Sequence, residues 1–269
     1  MAIVKGFLQM TGSIQGVSFY TRRGSDKVIM RTKGGVTKEK MASAPQFEGL
    51  RKNQLEFSGC TKFASITRYA FGGLQRLADY NLNATLSGMG KNLMKLDTEA
   101  PLGQRRILLS QHKQVLEGFN FNRNYPFNTV LRVGITGVID REHLLATVTI
   151  PRINTENDLV NIQRLPYFRI IAVIGTVADL QYDKAEKAYL PAVPELHGTS
   201  QVVNGDWYPS QTIVPEHTMT VQMSEARQAL LTDEVSVMLS IAVEFGAVGF
   251  AGETVEVKYA GCGKVLAVR

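Results

Sequence analysis

Four histidines, His112, His143, His197 and His217, are the first residues to try for metal or proton chemistry. None stands in an H-E-x-x-H arrangement, and none has a cysteine or second histidine at ligand spacing, so isolated surface or strand positions are expected. Ser110-Gln111-His112-Lys113 matches S-x-x-K, but the S-D-N and K-T-G segments that complete that chemistry are missing. Gly261-Cys262-Gly263-Lys264 has part of a phosphate-cradling loop. Its first glycine is wrongly spaced, and Val265 replaces the Ser or Thr that would bind Mg²⁺, so a bend in the final strand is expected. The acidic pairs Asp140/Glu142 and Asp97/Glu99 fall in turn-like or linker sequence, where solvation keeps carboxylates ordinary. These sets carry no reaction. The expectation is a non-enzyme with no catalytic residue, metal site or cofactor.

A second group has chemistry of another kind. Arg22, Arg23, Lys27, Arg31 and Lys33 concentrate near Phe19 and Tyr20. Cations on a β-arm can track phosphates while aromatics stack on bases, and such an arm can equally dock on an acidic protein surface. No recognised nucleic-acid motif accompanies them. The charge distribution singles out the same region: residues 1–100 hold 15 Lys+Arg against 7 Asp+Glu, whereas residues 101–269 hold 15 against 17. An anionic partner is expected at the front of the chain.

The elements that must position these residues follow from periodicity. Val17 and Phe19 alternate with Ser18 and Tyr20, Arg22 to Asp26 supplies turn chemistry, and Val28 to Arg31 runs extended again. Two strands alone have too little core to be stable, so this hairpin must pack on something. Ser43-Ala44-Pro45 opens a helix. Phe47, Leu50, Phe57, Cys60, Phe63, Ile66, Ala70, Leu74 and Leu77 recur at helical spacing, with a break expected at Gly72-Gly73. Leu82, Leu86, Met89, Leu93 and Leu96 predict a further helix, which Gly88 and Gly90 weaken by about 1 kcal/mol each.

Beyond a linker at Asp97 to Gly103 the period becomes two. Strands are expected around Leu131–Ile135, Leu144–Ile150, Met219–Met223, Val235–Phe245, Val255–Tyr259 and Val265–Val268, with Ser236, Ser240 and Glu244 opposing the apolar face of the longest. Phe168 to Val177 is almost continuously apolar, as a strand buried on both faces would be. Gln181 to Pro209 reads as a long polar loop in which Trp207 and Tyr208 are candidate contact aromatics, with packing onto the sandwich their expected job.

At 269 residues with 44% apolar and 20% charged side chains, the chain can bury a sizeable core. Its longest apolar run, roughly Ile170 to Val177, is too short for a bilayer, and the N-terminus lacks the apolar stretch and cleavage site of a signal peptide. Cys60 and Cys262 lie far apart, which fits free buried thiols in a reducing compartment or a particle assembled in one.

Gly12-Ser-Ile-Gln-Gly-Val-Ser-Phe-Tyr-Thr-Arg-Arg-Gly24, followed by Val28-Ile-Met-Arg31, resembles an uncharacterised family of Bacteroidetes-type bacteria and their mobile elements. Its members open with a Gly-rich G-x-I/V-G-x-V-x-F/Y hairpin and a basic strand ending in Arg. A Gln/Arg-containing helix follows, here the one bearing Gln46, Arg51 and Gln54, and a β-sandwich finishes the chain. Gln15 stands where members often carry glycine or lysine. The resemblance covers the first third in motif and the rest in architecture. It implies no catalytic or ligand-binding residue, and it favours a role in assembly.

The fold expected is α+β: an N-terminal basic β-hairpin arm (1–40), a helical segment (41–100) and an antiparallel immunoglobulin-like β-sandwich (101–269). The function expected is a non-enzymatic structural or assembly protein, a phage virion or multi-subunit surface component, found in the cytoplasm or virion. It would associate with copies of itself or with partner proteins, and would not enter a membrane. The alternatives are a nucleic-acid-associated protein using the hairpin and, third, a carbohydrate- or protein-binding module using the 181–209 loop.

Overall fold

The computed structural model describes residues 2–4, 11–22, 25, 27–32, 35–250 and 252–269. It is a mixed α+β protein with antiparallel sheets that divides into two units, 1–51 and 52–269. The division falls inside helix α2 (Glu48–Ala70), so the boundaries differ from the expected 1–40, 41–100 and 101–269.

In the first unit, β1 (Ala2–Val4), β2 (Gly12–Ile14), β3 (Val17–Thr21) and β4 (Val28–Thr32) form one sheet in the order β1-β4-β3-β2. The expected hairpin is the β3–β4 pair, which β1 and β2 extend to four strands. Gln15 and Gly16, at φ +43° and +83°, close β2 onto β3 in the two-residue turn whose twist matches paired strands. The sheet leads to α1 (Lys38–Ser43), where Thr37 caps the helix by accepting from the Lys40 N–H. Pro45 then opens a 3-10 turn before α2, and the Arg51 guanidinium donates to the Met41 and Ala44 carbonyls at 2.9 and 3.0 Å.

The second unit holds the rest of α2, α3 (Leu82–Leu96) and twelve strands. They are β5 (Thr136–Asp140), β6 (Leu145–Ile150), β7 (Ile153–Asn154), β8 (Tyr167–Ala178), β9 (Leu180–Asp183) and β10 (Ala188–Pro191), then β11 (Ser200–Asn204), β12 (Tyr208–Pro209), β13 (Ile213–Val214), β14 (His217–Gln222), β15 (Val235–Val248) and β16 (Thr254–Val268). The central sheet runs β11-β8-β15-β16, with β12 also on β8, and a second sheet runs β14-β6-β5. β8 is buried on both faces, as its unbroken apolar sequence requires. Ile171, Val173 and Val177 join the helical residues Phe63, Leu86 and Met94 in one core. Phe168, Ile170 and Ile174 join Ala146, Val148 and Val221 of the second sheet in another. Helices, central sheet and second sheet are thus three layers sharing two cores.

Four expectations change here. Ser236, Ser240 and Glu244 are buried rather than solvent-facing, because their face of β15 lies under the helices. About half of the 181–209 loop is β-structure: a β9–β10 hairpin, then β11 and β12 adding to the edge of β8. Leu131 to Ile135 is not a strand; Leu131 makes one bridge, to Leu159, and both apolar ends are buried in the core beyond a helical turn. Asp97, expected to be solvated, is buried. The break at Gly72-Gly73 is as expected, both residues lying at positive φ.

Candidate assembly surface and buried ion clusters

The register of the first sheet sorts its side chains by face. Ile14 opposes Val17, Phe19 opposes Met30 and Thr21 opposes Val28, so these share one side. Ser13, Ser18, Tyr20, Ile29 and Arg31 share the other, where the Ser13 and Ser18 hydroxyls meet at 2.9 Å. In β2, β3 and β4 the buried apolar side chains are Val28 and Ile29. Ile14 is 59% exposed, and Val17, Phe19, Tyr20 and Met30 are half-buried. Arg22, Lys27 and Arg31 are exposed. Arg23 and Lys33 lie outside the described residues. The unit as a whole carries nine Lys+Arg against three Asp+Glu, a net +6, whereas residues 52–269 carry 21 of each. The entire charge excess of the protein therefore belongs to this small unit.

The charged chemistry of the second unit is turned inward. Glu56 is fully buried. Arg105 Nε and Nη2 donate to its two oxygens at 2.7 Å each, Lys91 Nζ donates at 2.5 Å and the Gly103 N–H at 2.9 Å. Burial alone would raise this carboxyl, but the bonds from Arg105 and Lys91 outweigh it and hold the group at about 2. Glu244 is gripped by Arg76 through Oε1 and by Arg169 through Oε2, with bonds of 2.5 to 3.1 Å. Arg106 holds Asp97 through its backbone and side chain, which keeps that carboxyl well below the usual range against the opposing effect of burial. Each cluster satisfies a carboxylate that the fold has taken out of water.

The residues tested first for chemistry are dispersed. Ser110 donates to Asp179 through Oγ at 2.5 Å and through its N–H at 3.0 Å; burial raises the Asp179 carboxyl despite those bonds. His197 is half-buried: its Nδ1 accepts from the Ala178 N–H at 3.2 Å, its Nε2 is buried without a partner, and burial lowers it to about 4, with the Lys62 charge adding to the effect. The imidazole bonds Ala178 and the carboxylate bonds Ser110, so serine, acid and histidine form no relay. His143 pairs with Asp140 at 2.8 Å in an exposed turn. Gly261 to Lys264 lie in the β15–β16 ladder, and Lys264 Nζ donates to Asn128. Burial pushes the Cys60 and Cys262 thiols up to about 11 and about 12, which leaves both protonated and unreactive. No group of three His, Cys, Asp or Glu able to hold a metal occurs among the described residues, and no helix among them is long and apolar enough to cross a membrane.

Trp207 and Tyr208 pack onto the sheets. The Arg169 guanidinium sits 4.4 Å from the Trp207 ring, which covers Gly246 so closely that an added Cβ would lie 2.7 Å away. Tyr208 lies against Phe168, with ring centroids 5.9 Å apart. These aromatics complete the Glu244 cluster and the edge of β8.

No family model, curated protein or solved structure matches this chain. The site therefore rests on its own geometry. Sequence reasoning singled out the arm but missed Glu56, Glu244 and their arginines. One signal for Glu244 was present: β8 has no polar face, so the strand beside it must also be covered on both sides, and an acid there needs internal partners.

Proposed function

We propose that this chain is a non-enzymatic assembly protein whose N-terminal sheet docks on a neighbouring subunit, in a phage particle or another multi-subunit surface structure. One observation carries the reading. In β2, β3 and β4 of this 51-residue unit the buried apolar side chains are Val28 and Ile29, while Ile14, Val17, Phe19 and Met30 on one face keep solvent contact. Units of this size bury too little surface to be stable without a further contact. The +6 charge on the same unit points that contact toward an acidic surface.

The test is sedimentation velocity with light scattering on the full chain over a concentration series. Self-association that weakens about tenfold or more in Arg22→Ala/Arg31→Ala, and weakens with added salt, is the expected outcome. A monomer at every concentration removes the proposal.

Exposure of Arg22, Lys27 and Arg31 on one small unit also supports a second reading, nucleic-acid association. Fluorescence anisotropy with labelled DNA and RNA decides it. Absence of binding at about 50 mM salt, or binding unchanged in Arg22→Ala/Arg31→Ala, eliminates that reading.

A further inference from the structure

The β15–β16 pair continues past the sheet that supports it. Pairing of β15 with β8 ends at Gly246 opposite Tyr167, whereas β15 and β16 remain paired through Val248 and Thr254. The Gly249 N–H donates to the Glu253 carbonyl to close the tip. This free ribbon is apolar where it should be polar: Phe250 is fully exposed, Val248 is 58% exposed and Val255 is also exposed. A fully exposed phenylalanine at the end of a two-stranded ribbon gives nothing to its own fold. Of the two acids between Gly246 and Val257, Glu256 pairs with Arg169 of its own chain at 3.6 Å, which leaves Glu253 as the acid at the tip.

The same unit carries a groove of matching character. A cavity of about 790 Å³ opens between α2 and α3. Gln54, Phe57 and Thr61 line it from α2 at helical spacing, and Ala84, Gly88 and Lys91 line it from α3. Phe57 is 62% exposed on its wall, and a Cβ added at Gly88 would meet nothing within 4 Å. No acidic side chain lines it. At its Lys91 end Glu56 lies between two cations, Lys91 and Arg105, which leaves one positive charge in excess. An acidic apolar knob and a cationic apolar groove on one chain are complementary in shape class and in sign.

We infer that the Val248–Val255 ribbon tip of one copy seats Phe250 in the α2–α3 groove of a second copy. Glu253 approaches the Lys91 side, and Phe250 lies against Phe57 and Gly88. The contact is heterologous, since knob and groove are different surfaces, and it propagates into a ring or filament instead of stopping at a two-fold dimer. It uses no residue of the N-terminal sheet and is a contact additional to the one proposed above.

Sedimentation velocity on the full chain tests it with two variants that leave the cores intact. Phe250→Ala removes the knob. Gly88→Glu fills the groove, sets a negative charge against Glu253, and replaces glycine by a better helix former. Each should weaken self-association about 30-fold or more, the effect of removing a central aromatic anchor. In the Arg22→Ala/Arg31→Ala background, which removes the N-terminal contact, an equimolar mixture of the two should form heterodimers and nothing larger, since it retains one intact knob and one intact groove. Association unchanged in either variant, or a mixture that stays monomeric, overturns the inference. Loss of association in Arg22→Ala/Arg31→Ala alone, with Phe250→Ala and Gly88→Glu behaving as wild type, overturns this contact and leaves the N-terminal one standing. The reverse pattern does the opposite.

Discussion

Glu56 shows what a buried charge demands of a fold. With Arg105, Lys91 and the Gly103 amide all aimed at it, the carboxylate is stable inside the protein only while every partner is present. Glu56→Gln leaves two cations facing a neutral amide, and should destabilise the protein by about 3–5 kcal/mol in urea titration. Because the folded carboxyl sits near 2 and an unfolded one near 4.5, its stabilisation is complete above pH 4.5 and lost as pH falls toward 2. His197 acts in a higher window. Its folded value of about 4 lies below the ordinary 6.5, so the unfolded state binds the extra proton and stability drops as pH falls from about 6.5 to 4. His197→Gln, which keeps an acceptor for the Ala178 N–H, should flatten that limb of the thermal-stability profile. A limb of unchanged slope would show that another group titrates there. None of this was legible from residue type. Four isolated histidines look alike in sequence, and only packing made His197 differ from the exposed His143.

At the scale of elements, close backbone approach explains two positions. A Cβ at Gly175 of β8 would lie 2.0 Å from the Ala70 carbonyl at the end of α2, so Gly175→Ala should lower stability by about 2–3 kcal/mol and show it as a depressed denaturation midpoint. Gly90 of α3 approaches Phe63 and the Cys60 backbone of α2, which is why a helix weakened by glycine still forms there. Gln15 carries the opposite lesson. It adopts φ +43° in a turn that favours asparagine, and Gln15→Asn should stabilise the β2–β3 hairpin by about 0.5–1 kcal/mol, read as slower amide exchange at Ser13 and Ser18. Tyr259 is under similar strain at φ +61°, where the β15–β16 register shifts and Val257 to Ala260 stand opposite Phe245 alone.

For the whole molecule, the division of charge is the organising fact. Residues 52–269 balance 21 cations with 21 acids and bury several of their pairs, and residues 1–51 keep an unbalanced +6 beside an apolar sheet face. A protein arranged in this way should associate in a salt-sensitive manner through its first unit. Its second unit should add a component through Phe250 that is less sensitive to salt. Sedimentation at low and high salt separates the two, and association insensitive to both salt and Phe250→Ala would contradict the arrangement.

Periodicity in the sequence was enough to place α3, β8, β15 and most of the second sheet, because each buries a face whose repeat is written in its own residues. It also located the basic arm, since charge excess is a sum over residues and needs no coordinates. Tertiary structure alone decided that Ser236, Ser240 and Glu244 are interior, that β1 and β2 complete the first sheet, and that Gln181 to Pro209 contributes to four short strands. The physical reason is common to all three: burial of a polar face and pairing of a short strand depend on what arrives from elsewhere in the chain. A local pattern reports only the residues that compose it.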